Sequence, residues 1–256
     1  MRAVVGGPWH DSGVKTRIEA LWKPPLLFAH RGAKAHVREN TIEAFELAVK
    51  LGATGLETDV WLSRDSKLVL DHDGWHSRLA RRRIADTDRA ELRDHICTLD
   101  ELYDAVGTRL PLSVDLKDAA AFEPVVALAR DRESLERLWI CHGDRARLDR
   151  WRDQAPDARL VHSTSLGSLA STPERHAAEL AAARIDAVNL RQEQWSGGLT
   201  TLYHRFGILC FGWDAQHERQ ISALIDLGID ALYSDYSDRM AAVAAALRRP
   251  TAGQDR

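Results

Sequence analysis

Eight short strand-like runs, each followed by a stretch with helical periodicity, constrain the fold of this chain more than any single motif does. The runs are Leu26 to Ala29, Gly55 to Trp61, Leu110 to Asp115, Leu138 to Cys141, Arg159 to His162, Ala187 to Leu190, Gly207 to Phe211 and Ala231 to Ser234, each of ordinary strand length. Between the first two, Ile42, Phe45, Ala48 and Val49 form one apolar stripe, with Asn40 placed to cap the helix and Glu43 at the capping-box position. Thr172-Pro173 opens an alanine-rich helix running toward Arg184, and Gly228 follows the helix that contains Ile221, Leu224 and Ile225. Strand-then-helix repetition implies a parallel sheet, and eight units allow it to close as a (β/α)8 barrel. At 256 residues and 45% hydrophobic content, the chain can bury one substantial core.

A ninth run, Lys67 to Leu70, breaks the pattern. Only Ser63-Arg64-Asp65-Ser66 separates it from Leu62, too short for a parallel crossover and suited to a hairpin. It is therefore expected as an excursion over the C-terminal mouth of the barrel. The expected organisation is an N-terminal extension (1–24), a barrel (25–249) and a frayed tail (250–256). A net charge of −3 supplies no broad basic field, so nucleic-acid binding is disfavoured while a local anion site is not. Cys97, Cys141 and Cys210 are odd in number and form no ligand motif, which reads as buried thiols in a reducing cytoplasm. Met1 to Lys23 lacks a continuous apolar region, and the apolar run Met240 to Leu247 is far below the ~20 residues of a membrane span. A cytoplasmic protein without stable membrane insertion is expected.

Glu57 and Asp59 interrupt an apolar strand two residues apart, so both side chains share one face. Unpaired carboxylates there are costly to bury and need a cation or hydrogen-bond donors; ion pairing and exposure to solvent are the plainer alternatives. Asp115, at the end of the next barrel strand, adds a third carboxylate, and three oxygen donors at one mouth suit Mg2+ or Ca2+. His30 ends the first strand and His72 follows the hairpin strand; imidazole can give or take a proton near neutrality. Most of the eleven histidines are expected to be surface or satisfied core groups, and position beside the acidic set distinguishes these two. His142 ends a strand, and His36 and His76 lie in loops. Arg31 offers a planar fork for phosphate oxygens and Lys117 a point charge, although either can instead neutralise the nearby carboxylates. Arg81-Arg82-Arg83 reads as a solvated face rather than a steering patch. Trp213 either walls the pocket, stacking on a cationic head group, or packs in the core.

Ala29-His30-Arg31-Gly32, Glu39-Asn40-Thr41, Glu57-Thr58-Asp59-Val60 and Asp71-His72-Asp73, in that order, resemble the glycerophosphodiester phosphodiesterase family. The likeness extends to Phe211-Gly212-Trp213-Asp214 and to the stretch from Leu227 to Tyr236, and elsewhere is one of general pattern. It implies a TIM-type barrel in which His30 and His72 act as acid and base, Arg31 holds phosphate, and Glu57 and Asp59 bind a metal. It also implies a small glycerophosphodiester as substrate, cut to sn-glycerol 3-phosphate and an alcohol. One departure stands out: the family usually shows Glu-x-Lys where this chain has Asp115-Leu116-Lys117, a carboxylate shorter in reach by ~1.5 Å. Sphingomyelinase D-like enzymes, which use Asp there, and lysophospholipase D activity are the alternative enzyme classes. A non-catalytic phosphate-binding barrel is the alternative outside enzymes.

Overall fold

The computed structural model describes residues 17–77 and 82–248. Eight parallel strands close on themselves: β1 (Leu26–His30), β2 (Gly55–Leu62), β6 (Leu112–Leu116), β7 (Leu138–His142), β8 (Arg159–Ser163), β9 (Ala187–Arg191), β10 (Leu209–Trp213) and β11 (Ala231–Ser234). Closure is completed by β1 pairing with both β2 and β11, Phe28 opposite Gly55 and Tyr233. Helices α1 (Ile42–Lys50), α2 (Leu99–Val106), α3 (Phe122–Asp131), α4 (Arg145–Gln154), α5 (Pro173–Ala182), α6 (Gly197–Arg205), α7 (Glu218–Asp226) and α8 (Ser237–Arg248) alternate with them. The expected (β/α)8 architecture is present.

Side-chain alternation along the strands divides the core in two. Leu26, Phe28, Trp139, Cys141, Val161, Ala187, Phe211, Ala231 and Tyr233 fill the barrel interior, while their neighbours, such as Leu27, Leu56, Val188 and Leu190, pack outward against the helices. Opposite faces of one strand thus bury apolar groups twice, which is why these runs are near-continuously hydrophobic. At the N-terminal end the interior is closed by Trp22, whose ring meets Trp139 edge-on at 5.5 Å. Arg159 places its guanidinium 5.1 and 4.9 Å from those two rings. The interior is therefore filled from below, and open space remains at the C-terminal mouth.

The hairpin excursion is also present. β3 (Leu68–Leu70) pairs antiparallel with the end of β2, and a small second hairpin follows, β4 (Trp75–Ser77) with β5 (Arg82–Arg83). Three details depart from expectation. The third barrel strand begins at Leu112 rather than Leu110. The seventh barrel strand begins at Leu209 rather than Gly207, because Gly207, at φ +73°, turns the chain out of α6. Asn40 does not cap α1: Thr41 does, its hydroxyl accepting from Ala44 N–H at 3.2 Å. That puts Glu43 outside a capping box and releases the Asn40 amide for the site.

Candidate active site

The C-terminal ends of β1, β2 and β6 bring the acidic set together. Register pairs His30 with Glu57 and Asp59 with Asp115, so residues distant in sequence meet on three adjacent strands. Glu57 and Asp59 are 5% and 1% exposed, too buried for the solvent-facing alternative. A cavity of about 370 Å3 opens there, and His30, Arg31, Glu57, Asp59, His72, Asp115, Lys117 and Trp213 all line it. All eight residues singled out from the sequence thus border one space.

Each carboxylate is held differently. Glu57 Oε2 accepts from the Arg31 backbone N–H at 2.9 Å, an orientation made by Arg31 standing at φ +53°. Asp59 Oδ2 accepts from Asn40 Nδ2 at 3.0 Å, while Thr58 Oγ1 donates to Asn40 Oδ1 at 2.8 Å. Arg31 Nε lies 3.0 Å from Asp59 Oδ2, yet it is buried and not aligned as a hydrogen bond. Lys117 Nζ sits 2.7 Å from Asp115 Oδ2 and 3.1 Å from Asp59 Oδ1. The neutralising role of Arg31 and Lys117 is therefore visible in the geometry. Glu57 differs from the other two: His30 Nε2 is 3.9 Å away, with no closer cationic side chain among the described residues. Burial pushes the Glu57 carboxyl up to about 7, a shift that the His30 charge opposes and those of Asp59 and Asp115 reinforce.

The two histidines sit in contrasting settings. His30 Nδ1 is 2.6 Å from Asp235 Oδ1; a carboxylate only accepts, so Nδ1 carries the proton and Nε2 is left to the cavity. Burial alone lowers the His30 pKa, but the Glu57 charge and the Asp235 hydrogen bond outweigh it and the net shift is upward. His72 is half-exposed, its Nδ1 2.9 Å from Asp73 Oδ1, and burial moves its pKa down. It is carried over the carboxylates by a backbone bond from Asp71 N–H to Asp59 O at 3.2 Å, so the hairpin excursion does bring it to them.

Three residues to which the sequence assigned no part in the site complete the arrangement. Asp235 orients His30; Asn40 orients Asp59; and Glu39, 3.1 Å from Arg31 Nη1 and 3.2 Å from Lys34 Nζ, fixes the guanidinium. Glu39, Asn40 and Asp235 all fall inside the motifs quoted above, but their partners lie 8, 19 and 205 residues away. Trp213 is 40% exposed, with Arg191 5.6 Å over its ring; it walls the cavity and is not a core residue. Among the described side chains, the other histidines are structural or peripheral. His162 and His176 form a buried chain, Tyr203 O–H to His176 Nδ1 at 2.8 Å and His176 to His162 at 2.9 Å, ending on Gly143 O. His142 accepts from Asp144 N–H, and His36 pairs with Asp238. Arg82 and Arg83 pair with Glu91 and Asp86 at the surface, as a solvated face would; Arg81 and the His76 side chain lie outside the described residues.

A second cluster of ligand-type atoms, His204, Cys210 and Asp230, lies at the opposite end of the barrel. Asp230 there accepts from His204 Nε2, Cys210 N–H and Trp22 N–H at 2.7 to 2.8 Å. Its oxygens are satisfied by the protein, and it reads as the anchor of the N-terminal plug.

Residues 30–239 match the model of the glycerophosphoryl diester phosphodiesterase family, a span that opens on His30 and contains the whole acidic set. The chain belongs to that family. Glycerophosphodiester phosphodiesterase from Bacillus altitudinis is 25% identical over 83% of this chain and 95% of its own length. The solved glycerophosphodiester phosphodiesterase of Thermotoga maritima matches at a TM-score of 0.75 and 24% identity, covering 88% of this chain and 98% of that one. An Oleispira antarctica phosphodiesterase, solved with the product sn-glycerol-3-phosphate, matches at a TM-score of 0.74 and 21% identity, covering 86% and 97%. This glycerophosphoryl diester phosphodiesterase family member is accordingly a hydrolase of phosphoric diesters with the family's barrel.

Proposed function

We propose that the enzyme hydrolyses small, water-soluble glycerophosphodiesters to sn-glycerol 3-phosphate and an alcohol, in the breakdown of glycerophospholipids. The observation that carries this reading is the convergence, in one cavity, of two carboxylate-buttressed histidines, two cationic side chains and three carboxylates. Arg31 and Lys117 are placed to take phosphate oxygens, exchanging part of their contact with Asp59 and Asp115 for the substrate. His30 and His72 present Nε2 and exchange protons with the attacking and leaving oxygens, while Asp235 and Asp73 hold the rings in the required tautomer.

The donor set fits a divalent cation. Glu57, Asp59 and Asp115 supply hard oxygen ligands of the kind Mg2+ and Ca2+ prefer. Glu57 is a buried carboxylate whose charge is disfavoured until a further cation approaches. When bound, the ion would neutralise charge developing on phosphorus oxygens. Asn40 would then orient a ligand without touching the metal. Asn40→Ala is expected to weaken Mg2+ binding about 10- to 100-fold, read by isothermal titration calorimetry; unchanged affinity would separate Asn40 from the metal.

A cytoplasmic setting belongs to the same proposal, supported by Cys97, Cys141 and Cys210 all being free and buried. No helix among the described residues is long and apolar enough to cross a membrane. The cavity, at about 370 Å3, suits a compact head group better than an acyl chain. The test is kcat/KM on glycerophosphocholine against lysophosphatidylcholine below its micellar concentration. A preference of about tenfold or more for the soluble diester is expected; the reverse preference would favour lysophospholipase D activity.

A further inference from the structure

We propose that Gln216 is a positioning residue for the reaction: its side-chain amide sets Asp235, and through Asp235 the ring of His30. This rests on the phosphodiesterase reading, in which His30 exchanges a proton with the substrate, and it assigns a part to a neutral residue outside the charged set. The β1–β11 ladder pairs residues only as far as Ala29 with Ser234, and the β10–β11 ladder only as far as Gly212 with Leu232. His30, the last residue of β1, is still held by its pairing with Glu57. Asp235 is the first residue beyond β11. The 2.6 Å contact between His30 Nδ1 and Asp235 Oδ1 therefore depends on what holds Asp235 past the end of its strand.

Gln216 Oε1 supplies the acceptor there, taking the Asp235 N–H at 2.9 Å and the Ser234 hydroxyl at 3.2 Å. The chain reaches this position because Asp214, at φ +67°, turns it at the end of β10, and Ala215 N–H then returns to Tyr233 O at 3.2 Å. The direction of the amide is fixed from its other end. Gln216 Nε2 lies 3.2 Å from Asp214 Oδ1; a carboxylate only accepts, so the nitrogen faces Asp214 and the oxygen faces Asp235. Asp214 is itself held by Arg191 at 2.8 and 3.0 Å. The Gln216 backbone is pinned as well, its carbonyl by Arg239 Nη1 at 2.6 Å and its N–H by Gln220 Oε1 at 3.0 Å. On the far side of Asp235, Ala35 N–H bonds its carbonyl at 3.2 Å. Asp235 is thus clamped at N–H by Gln216 and at C=O by Ala35, and the first clamp is a side chain that a substitution can remove. A displaced Asp235 carboxylate frees the His30 ring to turn or to change tautomer, and a misplacement of about 1 Å at a reacting group can cost 10²-fold in rate.

The experiment follows glycerophosphocholine turnover together with the 15N resonances of the His30 ring, recorded without substrate at a pH where the ring is neutral. Gln216→Met keeps the length of the side chain and loses its acceptor and donor; Gln216→Glu keeps the acceptor; His162→Ala loosens the fold elsewhere. Wild type should carry the His30 ring proton on Nδ1. Gln216→Met is expected to lower kcat about 10- to 100-fold with KM little changed, and to move the proton in part to Nε2. Gln216→Glu should keep the Nδ1 proton and most of kcat, at a lower Tm from its charge beside Asp214. His162→Ala should lower Tm and leave both the ring proton and kcat as in wild type. If melting shows Gln216→Met to be unfolded, Gln216→Ala takes its place. Wild-type kcat in the Met variant, a kcat lost with no change in the His30 ring, or the same losses in His162→Ala would remove Gln216 from the positioning of His30. A wild type that does not hydrolyse glycerophosphocholine would instead overturn the functional reading, and the place of the His30 proton would then decide alone whether Gln216 sets Asp235.

Discussion

Removal of divalent metal with a chelator should abolish glycerophosphodiester turnover, and added Mg2+ or Ca2+ should restore it. Three carboxylates on neighbouring strand ends repel one another, and Arg31 and Lys117 offset only part of that charge through Asp59 and Asp115. Glu57, buried and with its carboxyl pushed up to about 7, is the group whose ionisation a metal would restore. Glu57→Gln and Asp59→Asn should each lower kcat/KM by about 10²- to 10³-fold, with loss of metal confirmed by elemental analysis. Full activity in protein shown to be metal-free would mean that the cationic side chains suffice, and the metal would have no place in the reaction.

His30→Ala and His72→Ala should each lower kcat by about 10²- to 10⁴-fold, the usual contribution of a positioned acid or base. His162→Ala is the contrasting variant. It breaks the buried chain linking Tyr203, His176 and Gly143, so its effect should appear as a lower Tm, with the protein that remains folded close to wild type in kcat. A His30 or His72 variant that kept wild-type kcat with the fold intact would remove that residue from the proton-transfer steps.

The barrel was legible because its strands are buried on both faces and stand out as apolar runs, and because Thr172-Pro173 and Gly228 punctuate the helices. The error at the seventh strand has the same origin. Ile208 continues an apolar run that only the positive φ of Gly207 interrupts, and local hydrophobicity does not encode φ. Asn40 and Thr41 are both competent caps, so nothing local decides between them. The decision is made 19 residues away, where buried Asp59 needs the amide. Asp235 lies within a motif, but nothing local assigns it a task, since its partner His30 is 205 residues distant and is reached only when β11 closes against β1. Residue types announced the charged site.

Which phosphorus–oxygen bond breaks is read most directly by 31P NMR of the products from glycerophosphocholine. Cleavage on the head-group side gives sn-glycerol 3-phosphate and free choline, the result predicted for a cavity that holds phosphate at Arg31 and Lys117 and retains the glyceryl unit. Release of phosphocholine and glycerol would place the scissile bond on the other side of phosphorus and contradict the account.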